Sequence, residues 1–534
     1  MSSVKTACWC GCCPDYVAWT TAEVVGIRDV IAAKIEVLWF RALRMTGLPA
    51  TGEARLWHVV RLLGFGWAIA FVVIGVGTRL HVFADGGMFA YGIAVRDSWA
   101  FHWHNIPTRA AVWVYAHWPS ELLVAATGAP SLGVALYGVL LFSAPLFGLL
   151  WTAAVDRSEG RVVLTAASAS TALVLPLVFG FPTEMWVSHA LFWPCLAMAH
   201  GGRVGIGWTV AMVMSMVALM LSHGGGVVFA GLVVASVLLR SQRRTGLMLP
   251  LAGLVAGAAV WLTMRLAFPP DAYFANVLGR AALLFLDVGG LGNSAIIAPL
   301  LAAAGAVVLA LLLRHLRSAY GWQFGALCGA IGLLVYWQMF EPPLLAVQRY
   351  PLRTALFLIA PAFAGLAIAW LSRREAPMLP VVGPLRDAVL GGLAVVPRPA
   401  LAIVVALVTF SHLVETCRFV AAWGAYVRAL EDLSSGAIAD SWLGHEAFVS
   451  AHRISKHLQP LAWQSTTQYL SILVAAGYRP KRLVVDPDAG YYWLSCATAR
   501  ANAVAQRALP PEGRAMVARL SCLHRPDKLP GQGF

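Results

Sequence analysis

Apolar residues run through this chain in blocks too long for the interior of a soluble domain. Stretches at 59–83, 130–155, 161–181, 185–200, 205–221, 225–240, 247–268, 294–314, 321–340, 352–372 and 393–414 are nearly free of charge. Most approach the roughly 20 residues that a helix needs to cross about 30 Å of hydrocarbon. Lipid offers no hydrogen bonds to an exposed backbone, so segments of this kind are helices. The pattern predicts an all-α polytopic membrane protein with about 11 transmembrane helices, within a range of roughly 10 to 13. The fourth to sixth segments are short for a span, which predicts helices that are broken or sheltered by their neighbours.

Two regions depart from that pattern. Residues 1–58 read as a cytoplasmic amphipathic segment, because Val24 to Leu43 mixes apolar residues with Arg28, Lys34 and Arg41 as a helix lying on the inner leaflet would. Residues 415–534 carry 13 Lys/Arg and 9 Asp/Glu, with helical patterns near 415–434 and 446–458. Within them the short apolar run Leu483-Val484-Val485, bounded by Arg482 and Asp486 and followed by Tyr491-Tyr492-Trp493-Leu494, predicts strand structure. The expected organisation is therefore an N-terminal segment 1–58, a transmembrane domain 59–414 with a long outer loop at 84–127, and a small C-terminal α/β soluble domain at 415–534.

Composition agrees with a lipid solvent: 59% of the 534 residues are hydrophobic, 12% are charged, and the mean hydropathy is +0.72. The net charge of +14 raises nucleic acid as a partner. The basic residues stand singly between apolar runs and form no stripe, which argues against it. They act instead as topology determinants. Loops assigned to the N-terminal side hold 19 Lys/Arg, and those on the opposite side, leaving out the tail, hold 7. Positive residues are retained in the cytoplasm, so the N-terminus is expected inside and the tail, after an odd number of spans, outside in the periplasm. The first strongly apolar stretch is long enough to remain as a helix, so no cleaved leader is expected. Without retention or lipidation signals, a bacterial inner (plasma) membrane is the expected location.

Of nine cysteines, Cys8, Cys10, Cys12 and Cys13 crowd together, but no second ligand pair follows at zinc-site spacing, and the group reads as a feature of a tail. An oxidising compartment would allow a bridge between Cys496 and Cys522.

Ionisable groups near a bilayer are costly, so their placement is the main functional signal. The expected outer face carries His81, Asp85, Asp97, His102, His104, Arg109, His117 and Glu121 in the first loop, then Glu184, His189 and His223, then Glu341, Arg349, Tyr350 and Arg353. Asp85 opens that loop in Asp85-Gly86-Gly87, where the first helix leaves the bilayer and a carboxylate is held rigidly yet reaches water, as a general base must. Aromatic residues such as Phe89, Tyr91, Trp99, Trp113 and Trp118 fit amphipathic helices in the headgroup layer. Arg349-Tyr350-Pro351-Leu352-Arg353 offers two planar guanidinium groups suited to a phosphate; the same arginines also suit lipid headgroups. Glu184 either favours the positive end of its helix or, with Trp186 and His189, contacts a ligand. His102, His104 and His223 read as interfacial or ligand-contacting residues, with no metal site assigned.

This layout resembles the glycosyltransferase C superfamily, membrane enzymes that take sugars from polyprenyl-phosphate carriers. The resemblance covers the arrangement of about three quarters of the chain and rests, as a motif, on Asp85 within His81-Val82-Phe83-Ala84-Asp85-Gly86-Gly87. It implies that Asp85 is the catalytic base and that Glu184, His102, His104, His223, Arg349, Tyr350 and Arg353 bind substrate. It implies as partners a polyprenyl-phosphate-linked sugar donor and a lipid, glycan or protein acceptor at the bilayer, with inversion at the sugar. Many members carry a second acid beside the first; here glycines follow Asp85, so no cofactor is assigned and metal dependence stays open. The alternatives are a transporter or flippase for a lipid-linked substrate and a non-catalytic membrane scaffold subunit. No P-loop, H-E-x-x-H, G-x-S-x-G or dinucleotide fingerprint stands in a supporting context.

Overall fold

The computed structural model describes residues 52–94, 107–174, 183–201, 205–240, 244–269, 349–373, 398–436, 448–462, 466–478 and 482–485, with a few single positions between them. Contacts divide the chain between His58 and Val59. Only the opening turns of one helix belong to the described part of the first unit, and the architecture below is that of the second.

Helices dominate the described residues. They are α1 (Gly52–Gly77), α2 (Gly86–Ala94), α3 (Trp118–Thr127), α4 (Pro130–Val155), α5 (Val162–Val174), α6 (Met185–His200), α7 (Ile206–Met220), α8 (Gly224–Leu239), α9 (Arg244–Ala267), α10 (Arg349–Leu371) and α11 (Arg398–Ser434). The spans Leu56–Gly77, Pro130–Val155 and Leu247–Ala267 are long and apolar enough to cross a membrane. Large apolar side chains stand outward on several of these helices, among them Val73, Phe147, Val210, Met214, Val255 and Leu266. Such surface is unfavourable against water and neutral against lipid.

Helix boundaries follow the apolar blocks closely where polar punctuation is sharp. The expected segments 185–200, 205–221, 225–240 and 247–268 correspond to α6, α7, α8 and α9 within three residues. The first segment differs: α1 begins at Gly52 and stops at Gly77, so Arg79 to Ala84 belong to the turn that leaves it. The last also differs, because α11 continues without a break through the helical pattern expected at 415–434. The segment expected at 294–314 lies outside the described residues, as does that at 321–340 apart from Cys328 and Ile331.

Packing at helix crossings uses residues without bulk. A Cβ added at Gly148 of α4 would fall 2.6 Å from the Ala190 carbonyl oxygen of α6, and one at Gly64 of α1 would fall 2.5 Å from Ser168 Cα of α5. Backbones therefore approach at these crossings more closely than any side chain permits. Aromatic rings fill the remaining space: Phe71, Phe142 and Trp186, from α1, α4 and α6, lie with centroids 4.4 to 5.1 Å apart.

The C-terminal part contacts the end of α1 and the helix that follows it. Phe83 is held between Phe419 and Trp423 of α11, at 5.4 and 5.0 Å. The Trp423 indole donates to the Thr78 carbonyl at 2.8 Å, and Arg79 pairs with Glu431 at 2.9 Å. Strands β1 (Phe448–Ser450) and β2 (Leu483–Val485) pair in parallel, with Val449 opposite Val484. Helix α12 (Thr467–Val474) packs on β2 and on α2, bringing Tyr469 to 5.0 Å from Tyr91. The helix expected near 446–458 is not formed. Phe448, Val449 and Ser450 use their backbone groups in the ladder with β2, and a single 3-10 turn, Ala451–Arg453, follows.

Replacing Gly148 by Leu is expected to destabilise the bundle by about 1–3 kcal/mol, the usual cost of forcing bulk into a packed crossing. Gly207, with open space around it, is expected to tolerate Leu. Thermal unfolding in mild detergent checks both, and equal behaviour of the two variants would contradict the α4–α6 contact.

Candidate functional site at the end of the helix bundle

The chain leaves α1 through an unfavourable backbone path. Arg79 and Ala84 have φ values of 57° and 53°, and a 3-10 turn at Leu80–Val82 lies between them. Left-handed conformations cost residues that carry a Cβ about 1–2 kcal/mol, so the surrounding packing must impose them. Ala84 is buried, and the turn delivers Asp85 directly to the start of α2. The Asp85 carbonyl accepts from Met88 and Phe89 N–H at 3.0 and 3.1 Å. Its half-buried carboxylate thus stands at the positive end of a helix.

Glu184 stands immediately before α6 and keeps only 4% of its surface. Its Oε1 lies 3.2 Å from Nε of Arg109, a residue of the first loop whose side chain is 25% exposed. The loop reaches this point through a 3-10 turn at Pro107–Arg109, an α turn at Ala110–Val112 and a π-helical stretch at Trp113–His117. Ala111 N–H donates to the Leu221 carbonyl beyond α7 at 3.0 Å, which anchors the passage. Widening of a helix by one residue per turn re-aims side chains, and here it ends on His117.

His117 and His81 converge on Tyr137 of α4. Their ring centroids are 5.1 and 6.4 Å from that of Tyr137, and Phe89 of α2 stands 5.5 Å from His117. Gly138 makes room for His81, since a Cβ there would come within 2.7 Å of the ring. Tyr137 is fully buried and its hydroxyl has no hydrogen-bond partner among the described residues. That hydroxyl lies within electrostatic range of both Glu184 and Asp85. Two imidazoles thus pack against the Tyr137 phenol, with Asp85 and the Glu184–Arg109 pair within electrostatic range.

Burial dominates the titration of both imidazoles. It holds the His117 pKa down at about 3, with Glu184 opposing and Arg109 reinforcing the shift. It holds His81 at about 4, with Arg79 reinforcing and a hydrogen bond to the Gly75 backbone opposing. Both rings are therefore neutral at pH 7.

The sequence-predicted residues divide into three groups. Asp85 and Glu184 both lie within electrostatic range of Tyr137. His223 stands at the same end of the bundle, where its Nδ1 accepts from Gly225 N–H at 3.0 Å and caps α8; the neighbouring Ser222 hydroxyl lies 2.8 Å from that of Ser188, one turn into α6. His102 and His104 lie outside the described residues, as do the side chains of Arg349, Tyr350 and Arg353, whose backbone forms the first turns of α10. His189 is a packing residue: its Nε2 lies 2.8 Å from the Ser170 hydroxyl and accepts from the Trp193 indole at 3.2 Å. Glu121 fastens the loop by accepting from Ser98 N–H at 2.6 Å, and burial raises its pKa. Phe89 and Tyr91, expected in the headgroup layer, are instead buried in α2, Phe89 against His117 of the first loop and Tyr91 against Tyr469 of the C-terminal part; Trp118 does face outward. Sequence reading missed Tyr137, a phenol inside an apolar run. Its one signal is that a tyrosine next to glycine in a spanning segment calls for a polar partner.

No family model matches the chain, and neither does any curated protein or solved structure. Among the described residues, no three His, Cys, Asp or Glu side chains gather closely enough to hold a metal ion.

Stability should depend on pH in a definite direction. Both histidines have folded pKa values below the ordinary 6.5, so the unfolded chain binds more protons than the folded one as pH falls. Their contribution is complete above about pH 6.5 and is lost progressively toward pH 4 and below. The melting temperature in detergent is expected to fall between pH 7.5 and pH 5, and His117→Gln is expected to flatten that dependence. An unchanged slope in the variant would show that His117 is not a buried neutral ring.

Proposed function

We propose that this protein is an integral-membrane glycosyltransferase with about 11 spans and a small extracytoplasmic C-terminal domain, which transfers a sugar from a polyprenyl-phosphate donor to a lipid, glycan or protein acceptor. The observation that carries the reading is that Asp85 and the Arg109-paired Glu184 both lie within electrostatic range of the buried Tyr137, against which His117 packs, where α1 ends and α4 and α6 begin. A hydrophobic carrier tail would lie in lipid while its headgroup entered this polar centre from the side. Such a division suits an amphiphilic donor better than a fully soluble one.

In this reading Asp85 removes the proton from the acceptor hydroxyl. The oxygen attacks the anomeric carbon on the face opposite the phosphate, the carbon–oxygen bond to the phosphate breaks with its electron pair, and polyprenyl phosphate leaves with inversion at the sugar. Cations must meet the charge that develops on the leaving group. Arg349 and Arg353, in the opening turns of α10, have the planar donor geometry for that task. Glu184 keeps Arg109 in place at the rim, and Tyr350, His223, His102 and His104 contact sugar or acceptor. Binding and chemistry face the outer side of a bacterial inner membrane, with the N-terminus in the cytoplasm.

Asp85→Asn keeps shape while removing the base. It is expected to leave expression and melting temperature near wild type and to lower transfer by at least about 100-fold, the usual contribution of general-base catalysis. Transfer from a radiolabelled polyprenyl-phosphate sugar in proteoliposomes checks this. Full transfer by the variant would remove Asp85 from the mechanism, and carrier movement across the bilayer without transfer would point to a flippase.

A further inference from the structure

The opposite end of the bundle holds a second polar feature that plays no part in the reaction proposed above. Helices α4, α6, α8 and α10 all finish there, and their ends surround a cavity of about 270 Å³. Arg157 follows α4, Arg240 follows α8 and Arg373 follows α10, and all three line the hollow together with Ser158, His200 and Trp370. From Tyr137 to Val155 along α4 the rise is about 27 Å at 1.5 Å per residue, so this end is distinct from the Asp85 cluster.

Two of the guanidinium groups are held in fixed positions. Arg240 Nη1 lies 3.2 Å from Nδ1 of His200, whose Nε2 lies 2.9 Å from the Ser236 hydroxyl. An arginine only donates, so Nδ1 is the acceptor and the proton sits on Nε2, directed at Ser236; that hydroxyl in turn donates to the Val233 carbonyl at 2.6 Å. Arg373 lies over the Trp370 ring, 4.5 Å from its centroid.

Among the described residues that line the cavity, Glu159 is the one acid. Glu159 meets Arg373 at only 3.5 Å with 79% of its side chain exposed, a weak pair. The Asp156 carboxylate is already engaged, accepting from Ser158 N–H, from the Ser158 hydroxyl and from Leu164 N–H at 2.9, 2.6 and 2.8 Å. Among the described residues Arg157 has no carboxylate partner. Arginines near helix C-termini offset the dipole by proximity to carbonyls alone; that role does not require three of them around an open hollow.

We propose that this cavity binds a phosphate group, carried either by the headgroup of an anionic lipid or by a soluble phosphate ester. Planar guanidinium donors directed from three helix ends match phosphate oxygens in pairs. The volume falls just below that of drug-sized pockets, which suits a phosphate with a small attached group.

The test uses full-length protein in detergent and in nanodiscs of phosphatidylcholine. Two arms are read: the shift in melting temperature with inorganic pyrophosphate at constant ionic strength, and retention of phosphatidylglycerol by native mass spectrometry. Arg157→Gln and Arg373→Gln alter partly exposed side chains at the rim, and Arg79→Gln at the other end controls for net charge. Saturable stabilisation by pyrophosphate, weakened at least tenfold in both rim variants and unchanged in the control, supports a soluble ester. Retained phosphatidylglycerol, lost in both rim variants without a pyrophosphate effect, supports a lipid headgroup. Absence of both effects in the unsubstituted protein, or equal binding in rim variants and control, overturns the proposal.

Discussion

A carboxylate with 4% of its surface exposed is tolerable only when a cation stands against it, and Glu184 finds its cation in a different part of the chain. Arg109 comes from the first loop, so the loop must close over the start of α6 for the buried charge to persist. That closure fixes much else. It carries His117 onto Tyr137, lays the stretch before α3 against the end of α7, and leaves α2 enclosed between the bundle and the C-terminal part. The strained turn at Arg79 and Ala84 belongs to the same arrangement, because the route from α1 to α2 is set by what lies on either side of it.

The two ends of the bundle are chemically unlike. One carries carboxylates, imidazoles and stacked aromatics beneath a covering loop; the other carries arginines that follow helix C-termini around an open cavity. Helices packed through glycine crossings such as Gly148 against Ala190 transmit little freedom between those ends. In the proposed reaction, such a frame would hold the reacting groups at a fixed depth while lipid surrounded the walls.

How much of this was readable beforehand depends on what each feature requires. Helices α6, α7, α8 and α9 were legible because charged or glycine-rich breaks bound apolar runs, and the solvent dictates both. Asp85 and Glu184 were legible as costly charges next to spans. Their joining through Tyr137 was not, since a phenol inside an apolar run looks like packing until its neighbours are known. Strand β1 falls within a helical pattern because three residues carry almost no period of their own, and the partner β2, more than thirty positions away, decides their state. The burial of Phe89 and Tyr91 is hidden for the same reason: aromatic residues suit a headgroup layer and a protein interior equally well, and His117 for Phe89 and Tyr469 for Tyr91 settle which.

The central claim is that the polar cluster around Tyr137 receives the headgroup of a lipid-linked sugar. Photocrosslinking with a polyprenyl-phosphate sugar that bears a diazirine on the sugar, followed by peptide mapping, tests it most directly. The account predicts adducts in the segments containing Asp85, Arg109 to His117 and Glu184, competed by unmodified donor. Specific adducts confined to other segments, with these three unlabelled, would contradict it.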